Sequence, residues 1–87
     1  MFQTRDSDLL RLPRVGSSTG VSRSSTYRRI SQGLFPPPVP LGGGRSVGWP
    51  AREVAAINEA RIAAWSDAKI RALVAELVAQ RTAGGAR

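Results

Sequence analysis

Apolar residues fall into short clusters separated by glycine and proline, and their spacing changes from helical to extended and back. Leu12-Pro13-Arg14-Val15 predicts the start of a first helix, with proline tolerated in its opening turn. Gly16, Ser17 and Ser18 make that helix short and weak. Gly20 suits the left-handed position that ends it, and Val21 is expected to pack inward from the turn. Ser22 is a good N-cap for a second helix reaching about Gln32 and closed by Gly33. On a 3.6-residue period Thr26, Tyr27 and Ile30 point to the core, Arg23, Ser24 and Arg28 lie on or near the open face, and Arg29 falls between.

The spacing then changes. Leu34 to Leu41 carries Pro36, Pro37, Pro38 and Pro40, which bias themselves and their predecessors toward extended geometry. Gly42-Gly43-Gly44 turns the chain and Arg45 to Trp49 returns it, which predicts a β-hairpin whose proline-bearing arm is confined to an edge. Pro50 opens a third helix with Val54 and Ile57 on one face. A C-terminal helix over Asp67–Thr82 follows, and Gly84-Gly85 ends it. Its apolar residues Ile70, Leu73, Val74, Leu77 and Val78 follow the i, i+3, i+4, i+7, i+8 pattern.

These elements predict a mostly α protein with a small β-hairpin, in three segments. Residues 1–10 form a flexible polar tail, residues 11–65 the folded domain, and residues 66–87 the last helix with a short tail. Tyr27, Phe35, Trp49, Val54 and Ile57 are expected to form the core joining hairpin to helices, with Trp65 seating the junction. The stripe from Ile70 to Val78 has two uses that the pattern leaves open. It completes the protomer's own core, or it pairs with a second chain. Two heptads are short for an independent coiled coil, so pairing would need the body of the domain as well.

Charge adds a direction. The chain of 87 residues has a net charge of +7, and the excess is unevenly placed. Residues 1–10 carry −1, residues 11–49 carry +6 with no aspartate or glutamate, and residues 50–87 carry +2. A polyanion-binding face therefore belongs to the first half. Twelve of the thirteen basic residues are arginine, whose planar fork suits bidentate contact with phosphate and guanine.

The chain contains neither cysteine nor histidine, which removes disulfides, thiolate and imidazole catalysis and the usual zinc sites together. No cofactor is expected. Glu53 and Glu59 fall on different faces of their helix, and Gly42-Gly43-Gly44 lacks the lysine of a phosphate-binding loop, so no enzyme is expected. No apolar run is long enough to span a bilayer and no signal-peptide core opens the chain, so a cytoplasmic location is expected.

Arg11-Leu12-Pro13, Val15, Thr19-Gly20-Val21-Ser22-Arg23-Ser24, Tyr27-Arg28 and Ile30 carry a family resemblance. It continues through Gly33, Phe35-Pro36, Pro38-Val39, Leu41-Gly42, Arg45-Ser46-Val47-Gly48-Trp49 and Glu53-Val54. The combination resembles the AlpA-like prophage regulators, grouped with small excisionases among MerR-like winged helix-turn-helix proteins. It covers about residues 11–60 and leaves the last helix outside. Thr26 and Arg29 depart from it by replacing apolar residues, and Pro37 and Pro40 stand at hairpin positions that are often basic.

The resemblance implies a DNA-binding protein of a prophage or mobile element, with double-stranded DNA as partner. Ser22, Arg23, Ser24, Ser25, Arg28, Arg29 and Arg45 are the expected contacts. The N-terminal residues of the second helix reach base edges in this motif, which assigns Arg23 and Ser24 to base readout, with Ser25 nearby. Arg45 at the hairpin tip is placed against the neighbouring backbone or minor groove. The implied jobs are transcription regulation, with RNA polymerase as a possible contact, or excision, in which several copies bend attachment-site DNA for an integrase. One module this small binds weakly, so a homo-oligomer or cooperative array on DNA is expected. A third reading is an interaction adaptor that uses the Ile70–Val78 stripe.

Overall fold

A computed structural model describes residues 5–85, with side chains as far as Thr82. The ends of both expected tails, residues 1–4 and 86–87, lie outside the described residues. The elements run β1 (Leu9–Leu10), α1 (Leu12–Thr19), α2 (Arg23–Ser31), β2 (Val39–Pro40), β3 (Val47–Pro50), α3 (Ala51–Ile62) and α4 (Asp67–Gly85). This is a mostly helical winged helix-turn-helix with a small antiparallel sheet, as the sequence predicts.

The tail expected over residues 1–10 is corrected at its inner end. Leu9 and Leu10 pair antiparallel with Pro50 and Trp49, so the wing has three strands in the order β1-β3-β2. Asp8 accepts a hydrogen bond from the Ala51 amide at 2.7 Å, and Asp6 one from the Arg52 amide at 3.2 Å, both through backbone carbonyls. A two-residue strand carries no detectable alternation, so only pairing across the chain reveals it. The hairpin itself pairs Val39 with Gly48 and Pro40 with Val47, and β2 lies at the edge, where a proline costs no ladder bond.

Each helix boundary in the N-terminal half has a local cause. Pro13 sits in the first turn of α1, and Gly20 ends that helix in the left-handed conformation at φ 73°. Gly16, which weakens α1 by propensity, has a packing reason: a Cβ there would lie 3.3 Å from the Val21 carbonyl oxygen. Ser22 caps α2 by accepting from the Ser25 amide at 3.2 Å. The far end of α2 closes with two backbone bonds, Gly33 N–H to Ile30 O at 3.1 Å and Leu34 N–H to Arg29 O at 2.8 Å. With Gly33 at φ 76°, this is a Schellman ending, and it drives Leu34 into the core.

The core brings together Val15, Leu34, Phe35, Trp49, Val54, Ile57 and Ala60 with Ile70, Val74 and Leu77. Trp49 has no accessible surface, and its Nε1–H donates to Pro36 O at 2.9 Å, so the indole is buried with its polar atom satisfied. Thr26 replaces an apolar residue at little cost because its hydroxyl donates to the Ser22 carbonyl at 2.9 Å, leaving the methyl group to pack. The stripe on α4 lies in this core, with Ile70 fully buried and Leu73 and Val78 packed against the cluster. Of the five residues expected to serve oligomerisation, Ile70, Val74 and Leu77 are taken up by the protomer's own core, while Leu73 and Val78 stay half-buried at its edge.

Glu53 is 1% exposed on α3 and is held by Arg81 of α4 through two parallel bonds, Nε to Oε2 at 2.8 Å and Nη2 to Oε1 at 2.6 Å. Helices α3 and α4 meet at Ala64, which adopts φ 59° without being glycine. Trp65 is 43% exposed at this corner and has Lys69 Nζ 6.0 Å from its ring centroid, so it only partly seats the junction. A left-handed residue with a Cβ carries strain of about 1–2 kcal/mol, and glycine gives back roughly half of the gain through unfolded-chain entropy. Ala64→Gly should therefore stabilise the protein by about 0.5–1 kcal/mol in urea unfolding. Destabilisation would mean the corner is not strained.

Candidate nucleic-acid interface

A cleft of about 580 Å³ opens between α1, the start of α2 and the wing. Three arginines line it from three different elements: Arg11 just before α1, Arg23 in the first turn of α2, and Arg45 in the tip of the wing. Ser17, Ser22 and Tyr27 complete its polar lining, while Leu12, Pro13, Val21 and Val47 supply apolar wall. Among the described residues, no acidic side chain lines this cleft. Its positive potential is therefore uncompensated locally, and Ser22 presents the N-terminal end of α2 to the same space, adding the positive end of a helix dipole.

The local sequence explains why the arginines converge. The tight turn Gly20-Val21-Ser22, closed by Thr19 Oγ1 accepting from the Val21 amide at 3.3 Å, starts α2 beside α1. Arg23 follows the cap directly, so it emerges at the mouth of the cleft. In the wing, Leu41 N–H donates to Ser46 O at 2.9 Å and Ser46 N–H to Gly43 O at 3.2 Å. These bonds narrow the loop, so that Arg45 stands exposed over the cleft's far side.

The expected contacts divide. Ser22, Arg23 and Arg45 come together in the cleft. Ser24 and Arg28 are exposed on α2, and Arg28 Nη2 donates to Ser25 Oγ at 3.3 Å, bracing the guanidinium along the helix. Arg29 is not brought to this face. It is half-buried and lines a small crease with Thr19, Phe35, Asn58 and Arg61 between α1, α2 and α3.

Two residues were missed in the sequence reading. Tyr27, expected in the core, is 41% exposed; its ring meets Trp49 edge-on at 6.2 Å while lining the cleft. One turn of α2 brings it next to Arg23, so the 3.6-residue period alone could have placed it on either face. Arg11 was read only as part of the family wording, yet it is the third arginine of the cleft. A signal existed, since it stands at the start of the acid-free stretch. No helix among the described residues is long and apolar enough to cross a membrane.

A helix pair joined by a tight turn, a three-stranded wing and an arginine-lined cleft between them define a winged helix-turn-helix protein. Residues 8–62 match the family described as prophage CP4-57 regulatory protein (AlpA), and the chain belongs to that family. It is also 48% identical over 54 residues to an uncharacterized protein, ORF88, of Enterobacteria phage P4. That match covers 62% of this chain and 60% of the phage protein, so the chain spans less than two thirds of its relative. No solved structure matches significantly.

Proposed function

We propose that this protein is a sequence-specific DNA-binding transcription regulator of a prophage or related mobile element. The observation that carries the reading is the convergence of Arg11, Arg23 and Arg45 in one acid-free cleft between α2 and the wing. In this reading α2 enters the major groove and the wing lies over the adjacent backbone. Arg23 and Ser24 read base edges, Arg28 reads a base or clamps a phosphate, and Arg11 and Arg45 hold phosphates. Tyr27 offers its hydroxyl to the same backbone from the cleft floor. Arg29 has no assigned contact, because it lies in a different crease. The adaptor reading loses most of its surface, because Ile70, Val74 and Leu77 lie in the core.

Selection of bound duplexes from random and genomic DNA tests the proposal. An enriched motif supports it, and no enrichment at moderate salt defeats it. Footprinting on the enriched fragments then separates the two jobs: a single promoter-proximal site goes with regulation, whereas phased repeats beside an attachment site go with excision. Arg23→Ala should cost about 1–3 kcal/mol on the selected site and relax preference at one base position. Arg45→Ala should weaken all duplexes more evenly. Equal losses across sequences for both variants would remove the division of roles.

A further inference from the structure

The segment from Gln32 to Pro38 connects α2 to the wing; its start is fixed by the Gly33 and Leu34 bonds that end α2, and its middle by Trp49 Nε1–H on Pro36 O. Pro36, Pro37 and Pro38 have no N–H to donate, and the segment lies in no ladder. Carbonyls near both of its ends are bound in addition by α4. Arg71 Nε donates to Gln32 O at 2.8 Å, and its aliphatic stem passes over Gly33, where a Cβ would meet Cγ at 3.6 Å. Arg81 Nη2 donates to Pro37 O at 2.7 Å while the same side chain grips Glu53 on α3. Ten residues of helix rise about 15 Å, so the two arginines reach the connection at two well-separated points.

Resting on the DNA-binding reading, we propose that α4 is a strap that sets the angle between the recognition helix α2 and the wing. Arg71 and Arg81 are its positioning residues, and they act on specificity without touching DNA. Helix α4 lies beyond the stretch matched to the family, residues 8–62. The physical gain is preorganisation. A duplex must meet Arg23 and Arg45 together, and apparent affinity scales with the fraction of molecules in which helix and wing are correctly set.

Arg71→Met is the informative variant, since it keeps the stem over Gly33, removes the donor and lies on an exposed part of α4. Arg81 is less suitable because it also neutralises Glu53. The full-length chain has no native cysteine, so spin labels at Ser31→Cys and Gly43→Cys report the distance from the end of α2 to the wing tip. Gly43 has open space around a Cβ and an ordinary φ. Without DNA, Arg71→Met should broaden that distance distribution while helical circular dichroism stays unchanged.

On the best selected duplex, affinity should fall about fivefold if the aligned population falls to about a fifth. Affinity for a shuffled duplex, and the slope of log affinity against log salt, should hold. An unchanged distance distribution would overturn the strap. So would a salt slope shallower by about one unit, which would make Arg71 a phosphate ligand. If the wild type prefers no duplex, the DNA-binding reading fails while the distance measurement still judges the strap on its own.

Discussion

Arg81→Ala should destabilise the fold by about 3 kcal/mol, seen as a fall in the thermal midpoint on the order of 15 °C for a chain of this size. Glu53 sits 1% exposed at the start of α3, and Arg81 supplies both of its side-chain partners. Removing the guanidinium leaves a buried carboxylate with no counter-charge and frees the Pro37 carbonyl at the same time. The loss is placed at the low end of what breaking a buried pair costs, because Arg81 keeps 18% of its side chain exposed and water can partly replace it. Replacing both partners with apolar residues of similar size, as in Glu53→Leu with Arg81→Met, should recover most of the loss. A double variant as unstable as Arg81→Ala would show that the charge itself is not the problem.

Raising salt from 50 to 200 mM should weaken specific DNA binding by about 250- to 1,000-fold. The expectation follows from about four to six phosphate contacts, which give a log–log slope of roughly −4 to −5. Arg11, Arg45 and Arg28 supply three of these in the proposed arrangement, and the guanidinium of Arg23 in the groove adds a fourth positive charge that displaces counterions. Fluorescence anisotropy titrations at four or five salt concentrations give the slope directly. A slope near −1 would mean that the cleft does not embrace the backbone, whatever its charge.

Much of the element order was legible because its causes are local. Ser22 as a cap, Gly20 and Gly33 as left-handed endings, and the glycine turn of the wing each depend on one residue's own conformational range. The α4 stripe was legible as a stripe for the same reason, since Ile70, Val74 and Leu77 repeat at helical spacing. Its destination was not. A stripe facing its own domain and a stripe facing a second chain have identical spacing, and only the packed core distinguishes them. Strand β1 escaped notice because Leu9 and Leu10 acquire their conformation from β3, about forty residues away.

Candidate contacts divide along the same line. Arg23 and Arg45 were legible from their places beside a helix cap and a glycine turn, and the fold brings them to one cleft. Arg29 and Tyr27 lie at the boundary between helix faces, where a rotation of a few tens of degrees decides inside from outside. The surrounding helices decided it: Arg29 entered the crease beside α3, and Tyr27 turned an edge to Trp49 and opened toward the cleft.

The amino-acid sequence by itself determined the charge asymmetry, the boundaries of α1 and α2, the proline-confined wing edge and the family, whereas α4 runs on to Gly85, past the Thr82 end that its glycines predict. Each of these follows from side-chain chemistry and local backbone preference. Tertiary structure alone decided that α4 belongs to the core, that Glu53 is buried against Arg81, that Arg71 and Arg81 grip the connection from α2 to the wing, and that Arg11 joins the cleft. Those outcomes depend on contacts between residues far apart in the chain, and such contacts leave no periodic trace in it.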